Sequence, residues 1–93
     1  MEAIELTRMM KTLIPGENVL HLTHTLLGTK LDIEAWKTGD KENFMIHGPG
    51  ISVLTENLTV FDLPTGIGLI TQGGGAMSID AFQWDGELQK VKR

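Results

Sequence analysis

Three consecutive glycines, Gly73, Gly74 and Gly75, sit between two apolar, β-rich runs in the stretch IGLITQGGGAMSIDAFQW, from Ile67 to Trp84. Glycine adopts positive φ without steric penalty, so a glycine triplet between strand-like runs predicts a hairpin. Taking the triplet as a three-residue loop sets Gln72 against Ala76, Leu69 against Ile79 and Ile67 against Ala81. A register one step away would set Leu69 against Asp80 and send every side chain to the opposite face. The three-residue loop is therefore expected, with positive φ at one or more of its glycines. The stretch specifies fold and carries no chemistry.

A sheet needs a core on one face. The chain has 93 residues, 41% of them hydrophobic, which suits a single domain over residues 1–93. Its expected parts are a helix over 2–14, a β-rich body over 19–84 and a short strand or tail over 87–93. Aromatics make up 5% of the chain, so Leu, Ile, Val and Met must fill the core. The absence of Cys excludes disulfides, thiolate metal sites and a Cys nucleophile, and fits a reducing compartment. No apolar run approaches the roughly 20 residues that cross a bilayer, and the N-terminus lacks a basic-then-apolar signal pattern. A soluble, cytoplasmic protein without a membrane partner is expected. A net charge of −4 and a pI of about 5.2 argue against nucleic acid as a partner. The basic cluster Lys90, Lys92 and Arg93 reads as a solvated tail.

Along the chain, Ala3, Leu6, Met9, Met10, Leu13 and Ile14 share one arc at helical spacing, while Ile4 falls off it. Pro15-Gly16 stops that helix. VLHLTHTLL and KLDIEAWK then read as a hairpin around Gly28-Thr29, in a two-residue type II′ turn. This turn pairs Leu26 with Leu31, His24 with Ile33 and Leu22 with Ala35 on one face. On the other it pairs Thr25 with Asp32, Thr23 with Glu34 and His21 with Trp36. Thr38–Asn43 reads as a polar loop, and Phe44–His47 as a short strand ended by Gly48-Pro49-Gly50. ISVLT and LTVFDL, within residues 51–63, read as a second hairpin around Glu56-Asn57. It would set Val53 against Val60 and Ser52 against Phe61. Its apolar residues on both faces predict a more central place than the first hairpin. Leu63–Gly66 turns into the glycine hairpin, and Asp85-Gly86 is a type I′ turn signal before a weak last strand. The fold class is α+β: an N-terminal amphipathic helix packed on an antiparallel sheet, or a small sandwich or barrel, of six to seven strands.

Candidate chemistry is sparse. His21 and His24 stand three apart, and strand residues three apart face opposite ways, so they do not form a metal pair. His24 is expected buried and hydrogen-bonded, and His21 stacked on Trp36. His47 is a lone strand residue, and three histidines without fixed spacing are no zinc signature. Gly73–Gly75 would be a ligand loop for a nucleotide or other anion, yet phosphate loops with a known mechanism lead into a helix, and here a strand follows. Ser52 and Ser78 lack a nucleophile motif. Asp32 and Glu34 share a strand face, where solvation explains them as well as catalysis does.

The expected function is a small non-catalytic protein-binding or self-assembling module, of the kind found among viral and mobile-element accessory or inhibitor proteins. The alternative is a small-ligand binder using a pocket between helix and sheet, or the Gly73–Gly75 loop. An enzyme ranks last, and no cofactor is expected. The expected interface is the outer face of the first hairpin, with Val19, His21, Leu27 and Trp36. The exposed side of Phe82 and Trp84 is the second candidate. The expected partner is a second copy of the chain or another protein, because a large aromatic in a mixed polar strip resembles an interface core with its rim.

Overall fold

A computed structural model describes residues 1–72, 75–80 and 83–91. The apolar arc of the N-terminal segment folds as α1 (Ala3–Lys11), which buries Ala3, Leu6 and Met10, with Leu13 just beyond it. Met9 is half-buried, while Ile14 is 50% exposed and lies outside the arc's buried part. The helix ends short of residue 14 because its last turn tightens. Leu13 N–H donates to Met10 O, and the Thr12 hydroxyl donates to Met9 O. Asn18 then fastens that end, accepting from Ile14 N–H at 2.7 Å and donating to Thr12 O at 3.0 Å. At the other end Glu2 makes no side-chain cap. The cap comes from far along the chain: Ala3 N–H donates to Asp62 Oδ1 at 3.0 Å.

The rest is β structure in two antiparallel sheets, giving a mostly-β α+β fold. The strands are β1 (Asn18–His24), β2 (Lys30–Thr38), β3 (Lys41–Gly48), β4 (Ile51–Thr55), β5 (Leu58–Leu63), β6 (Gly66–Thr71), β7 (Ala76–Ile79) and β8 (Trp84–Lys90). One sheet has the order β4-β3-β2-β1-β8, the other β5-β6-β7. The described residues thus hold eight strands where six or seven were expected. The last of them, β8, is a full strand where a weak run was expected, and residues read as a polar loop lengthen β2 and β3. Gly39-Asp40 forms a two-residue turn, with Gly39 at φ 60°, and pairs Thr38 with Lys41. A Gly-Asp pair with φ positive at the Gly alone is a type II′ signature, and it extends β2 and β3 through TGDKEN.

The first hairpin keeps its faces and changes its partners. Leu22 meets Leu31, Leu20 meets Ile33 and His21 meets Asp32. Leu26 therefore does not face Leu31, nor His24 Ile33, and His21 does not lie opposite Trp36. Gly28-Thr29 is not a two-residue turn. Residues 25–28 form the loop, closed by Gly28 N–H to His24 O and His24 N–H to Thr29 O, each 2.8 Å, with Gly28 at φ 71°. The glycine hairpin moves in the same way: Ile67 meets Ile79 and Leu69 meets Met77. Thr71 N–H donates to Gly75 O, which places Gly75 beside Thr71 rather than within the loop. Gly73 and Gly74 lie outside the described residues, as do Ala81 and Phe82. In both hairpins the shift is an even number of residues, which leaves the buried face unchanged.

Residues 51–63 do not form a hairpin. β4 pairs with β3, and β5 pairs with β6, so Val53 does not meet Val60 and Ser52 does not meet Phe61. The chain changes sheets at Glu56-Asn57. Thr55, 4% exposed, holds this corner: its hydroxyl donates to Asn57 O and accepts from Gln72 N–H. Both strands lie at sheet edges, whereas β1 and β2 of the first hairpin are interior strands. Asp85-Gly86 is not a turn. It lies inside β8, where Gly86 opposes Leu22 and leaves space for the ends of Met1 and Met9.

The core lies on the inner face of the five-stranded sheet. Leu20, Leu22, Leu31, Ile33 and Ile46 meet Leu6, Met10 and Leu13 of the helical segment and Ile67 and Leu69 of β6. The helix and the three-stranded sheet therefore share this face. α1 closes one side, capped by β5, with Met9 and the preceding Met1 resting over β8. On the other side β4 and β7 are both free edges.

Candidate functional site

The hairpin alternation that sends Leu20, Leu22, Leu31 and Ile33 inward sends their neighbours outward. The registers align one outward row across all five strands: Glu87, His21, Asp32, His47 and Ser52. Within it His21 Nδ1 lies 2.5 Å from Asp32 Oδ1. A carboxylate can only accept, so Nδ1 carries the proton and donates. This fixes the imidazole ring and turns Nε2 away from Asp32. Both side chains are about a third exposed, at 36% and 39%. They border a shallow hollow of about 440 Å³, also lined by Lys30, Glu87 and Gln89. The hollow presents both charge signs beside a fixed imidazole.

Apolar side chains flank the row. The next row along carries Val19, Glu34, Met45 and Leu54, and Leu54 is 52% exposed. Trp36 follows on β2, opposite Asn43 and 46% exposed. It also borders a hollow of about 260 Å³ between the end of α1 and the sheet, lined by Met10, Leu13, Phe44 and Lys11.

Val19, His21 and Trp36 thus share the outer face, with Trp36 away from His21. Leu27 is elsewhere: it sits 77% exposed in the loop joining β1 to β2, at the end of the hairpin remote from Trp36. Trp84 points inward, edge-on to His24 with ring centroids 5.1 Å apart. Phe82 lies outside the described residues. His24 is buried and accepts from Leu27 N–H through Nδ1, so its proton is on Nε2. The two neighbouring histidines face opposite sides of the sheet. Sequence reasoning missed Met45, Leu54, His47 and the His21–Asp32 pair as members of one surface. The Gly39-Asp40 turn would have placed Met45 and His47, because it sets the β2–β3 register, and the Pro49-Gly50 turn, which pairs Gly48 with Ile51, would have placed Leu54. Among the described residues no group of three or more His, Cys, Asp or Glu is arranged to hold a metal ion, and no helix is long and apolar enough to cross a membrane.

Comparison with protein families, curated proteins and solved structures finds no match to this chain.

Proposed function

We propose that the chain is a non-catalytic binding module that associates with a second copy of itself through the outer face of the five-stranded sheet. The observation that carries this is the open face itself. Trp36 and Leu54, each about half exposed, flank the row of Glu87, His21, Asp32, His47 and Ser52 on a face to which neither α1 nor the second sheet contributes core. An aromatic and aliphatic group beside a polar strip is the composition of an interface core with its rim. The strip carries Lys30 and histidines together with Asp32, Glu34 and Glu87, so two copies can offer each other opposite charges. Two-fold symmetry is the commonest way to close such a contact. In this reading His21 and Asp32 serve recognition.

Sizing with light scattering at micromolar concentration tests it. The parent protein is expected as a dimer or larger. Trp36→Ala is expected to weaken association by about 2 kcal/mol, the scale of a binding hot spot, and Leu54→Ser by less. A monomeric parent ends the reading. An oligomer unchanged in both variants moves the interface elsewhere.

A second reading rests on the hollow beneath α1, where Lys11 stands beside Trp36 and Phe44. A small ring-bearing ligand such as a nucleotide would set its ring against the aromatic side chains and its anionic group at Lys11, away from Glu42, which lines the same hollow. A thermal-shift screen reads it directly, since a ligand at a hundred times its dissociation constant stabilises by about 2.7 kcal/mol.

A further inference from the structure

The two sides of the molecule are finished differently. On one side α1 covers the gap between β5 and β8, and those edge strands carry charge: Asp62 on β5, and Asp85, Glu87 and Lys90 on β8. On the other side the edges β4 (ISVLT) and β7 (AMSI) carry no charged residue. Charge, bulges and covering elements are the usual means of blocking a free edge, and these two short strands carry no charge.

Between these edges the inner faces do not close. Val53, Ile46, Leu69 and Met77 line one hollow of about 130 Å³. Ile51, Leu31, Met77, Ile79 and Trp84 line a second of about 170 Å³. An apolar cavity of about 150 Å³ accommodates a benzene ring, so each hollow has room for one large side chain. Their spacing is informative. One lies at Val53 and the other at Ile51, two residues apart on β4, which is the repeat of side chains on one face of a strand. A strand added beside β4 would direct residues i and i+2 into the two hollows and residue i+1 outward, beside Ser52. One donor also lacks a partner. Trp84 lines the second hollow, and its buried indole N–H has no acceptor among the described residues. The Trp84 indole signal therefore reports on any side chain that enters this hollow.

We propose that the seam between β4 and β7 binds an extended peptide strand from another protein, with apolar residues at i and i+2 and an uncharged polar residue between them. Backbone pairing along β4 supplies affinity and the two hollows supply specificity, the mode known as β-augmentation. This site is separate from the outer face that carries Trp36, so either reading stands without the other.

The test uses the full chain labelled with ¹⁵N and four capped heptapeptides, Thr-Ser-X-Thr-X-Ser-Thr, with X as Val, Leu, Ile or Phe. Each has a control in which the two X residues are adjacent. The chain has two tryptophans, so two indole N–H signals are read. At least one alternating peptide should shift the Trp84 indole signal saturably, leave that of Trp36 in place and slow hydrogen exchange at Ser52 or Leu54. Its affinity should exceed that of its control at least tenfold. Val53→Phe, which fills the first hollow from within, should weaken binding at least tenfold while the melting temperature is maintained; if that variant is poorly folded, Met77→Phe serves the same purpose. Equal binding of alternating and control peptides overturns the proposal. So does a Trp84 shift produced by decanoate and by none of the peptides, which would make the seam a lipid-chain site. No shift with any peptide overturns it as well.

Discussion

Gly66 and Gly86 look alike in the sequence, and the structure separates them. A Cβ on Gly66 would lie 2.0 Å from Ile79 O and 2.8 Å from Asp80 Cα, both backbone atoms held by the β6–β7 pairing. A Cβ on Gly86 would meet Met1 Cε at 2.4 Å and Met9 Sδ at 3.0 Å, both in flexible side chains. Gly66→Ala is therefore expected to destabilise by roughly 1–3 kcal/mol through forced backbone shifts. Gly86→Ala should stay within about 1 kcal/mol, since the methionines move and Ala is less costly to order than Gly. Urea unfolding of the two variants checks the order, and the reverse order would show that α1 is seated rigidly on β8. The contrast was not legible in the sequence. Asp85-Gly86 has the chemistry of a turn, and what overrides it is the helix at the far end of the chain, lying over β8.

At the scale of elements, the sequence determined faces well and partners poorly. Alternation along β1 and β2 correctly sends Leu20, Leu22, Leu31 and Ile33 to the core, and any even slip preserves that pattern. The turn decides which slip occurs, and here residues 25–28 form a longer loop than Gly28-Thr29 suggests. The same reasoning explains why the outer-face row was missed, since it depends on register across five strands. A double-mutant cycle reports the register in solution. His21→Ala with Asp32→Ala should show a coupling of up to about 1 kcal/mol, the range for a partly exposed pair. His21→Ala with Trp36→Ala should show none beyond error, and a sizeable coupling there would restore the shorter turn. The helix supplies a second test at this scale. Asp62 caps α1 from β5, a contact across 59 positions that local pattern cannot reveal. Asp62→Ala should lower stability by about 1 kcal/mol and speed exchange at the Ala3 amide, while Asp62→Asn, which keeps an acceptor, should lose less. Equal loss in both would assign the effect to charge at the helix N-terminus rather than to the hydrogen bond.

At the scale of the molecule, the order of strands ties the ends of the chain together. The chain leaves the five-stranded sheet after Thr55, builds the three-stranded sheet, and returns so that β8 pairs with β1 along all of Asn18–His24. Without β8, β1 would become a free edge with Leu20 and Leu22 opened to water, and α1 would lose the surface under Met1 and Met9. Neither sheet can then keep its core, because Leu6, Leu20, Leu22, Ile67 and Leu69 belong to one cluster. The whole chain should therefore unfold as one cooperative unit, and its C-terminal strand should be indispensable. Two truncations test this. Ending the chain at Lys90 removes the bond from Val91 N–H to Glu17 O, 2.8 Å long, and should lower stability by about 1 kcal/mol with a single sharp transition retained. Ending it at Gln83 removes β8 and should abolish the sharp transition, broaden the Trp36 fluorescence melt and expose dye-binding apolar surface. A sharp, single transition in the shorter chain would mean that α1, β1–β4 and the second sheet close a core of their own, with β8 a late addition to its edge.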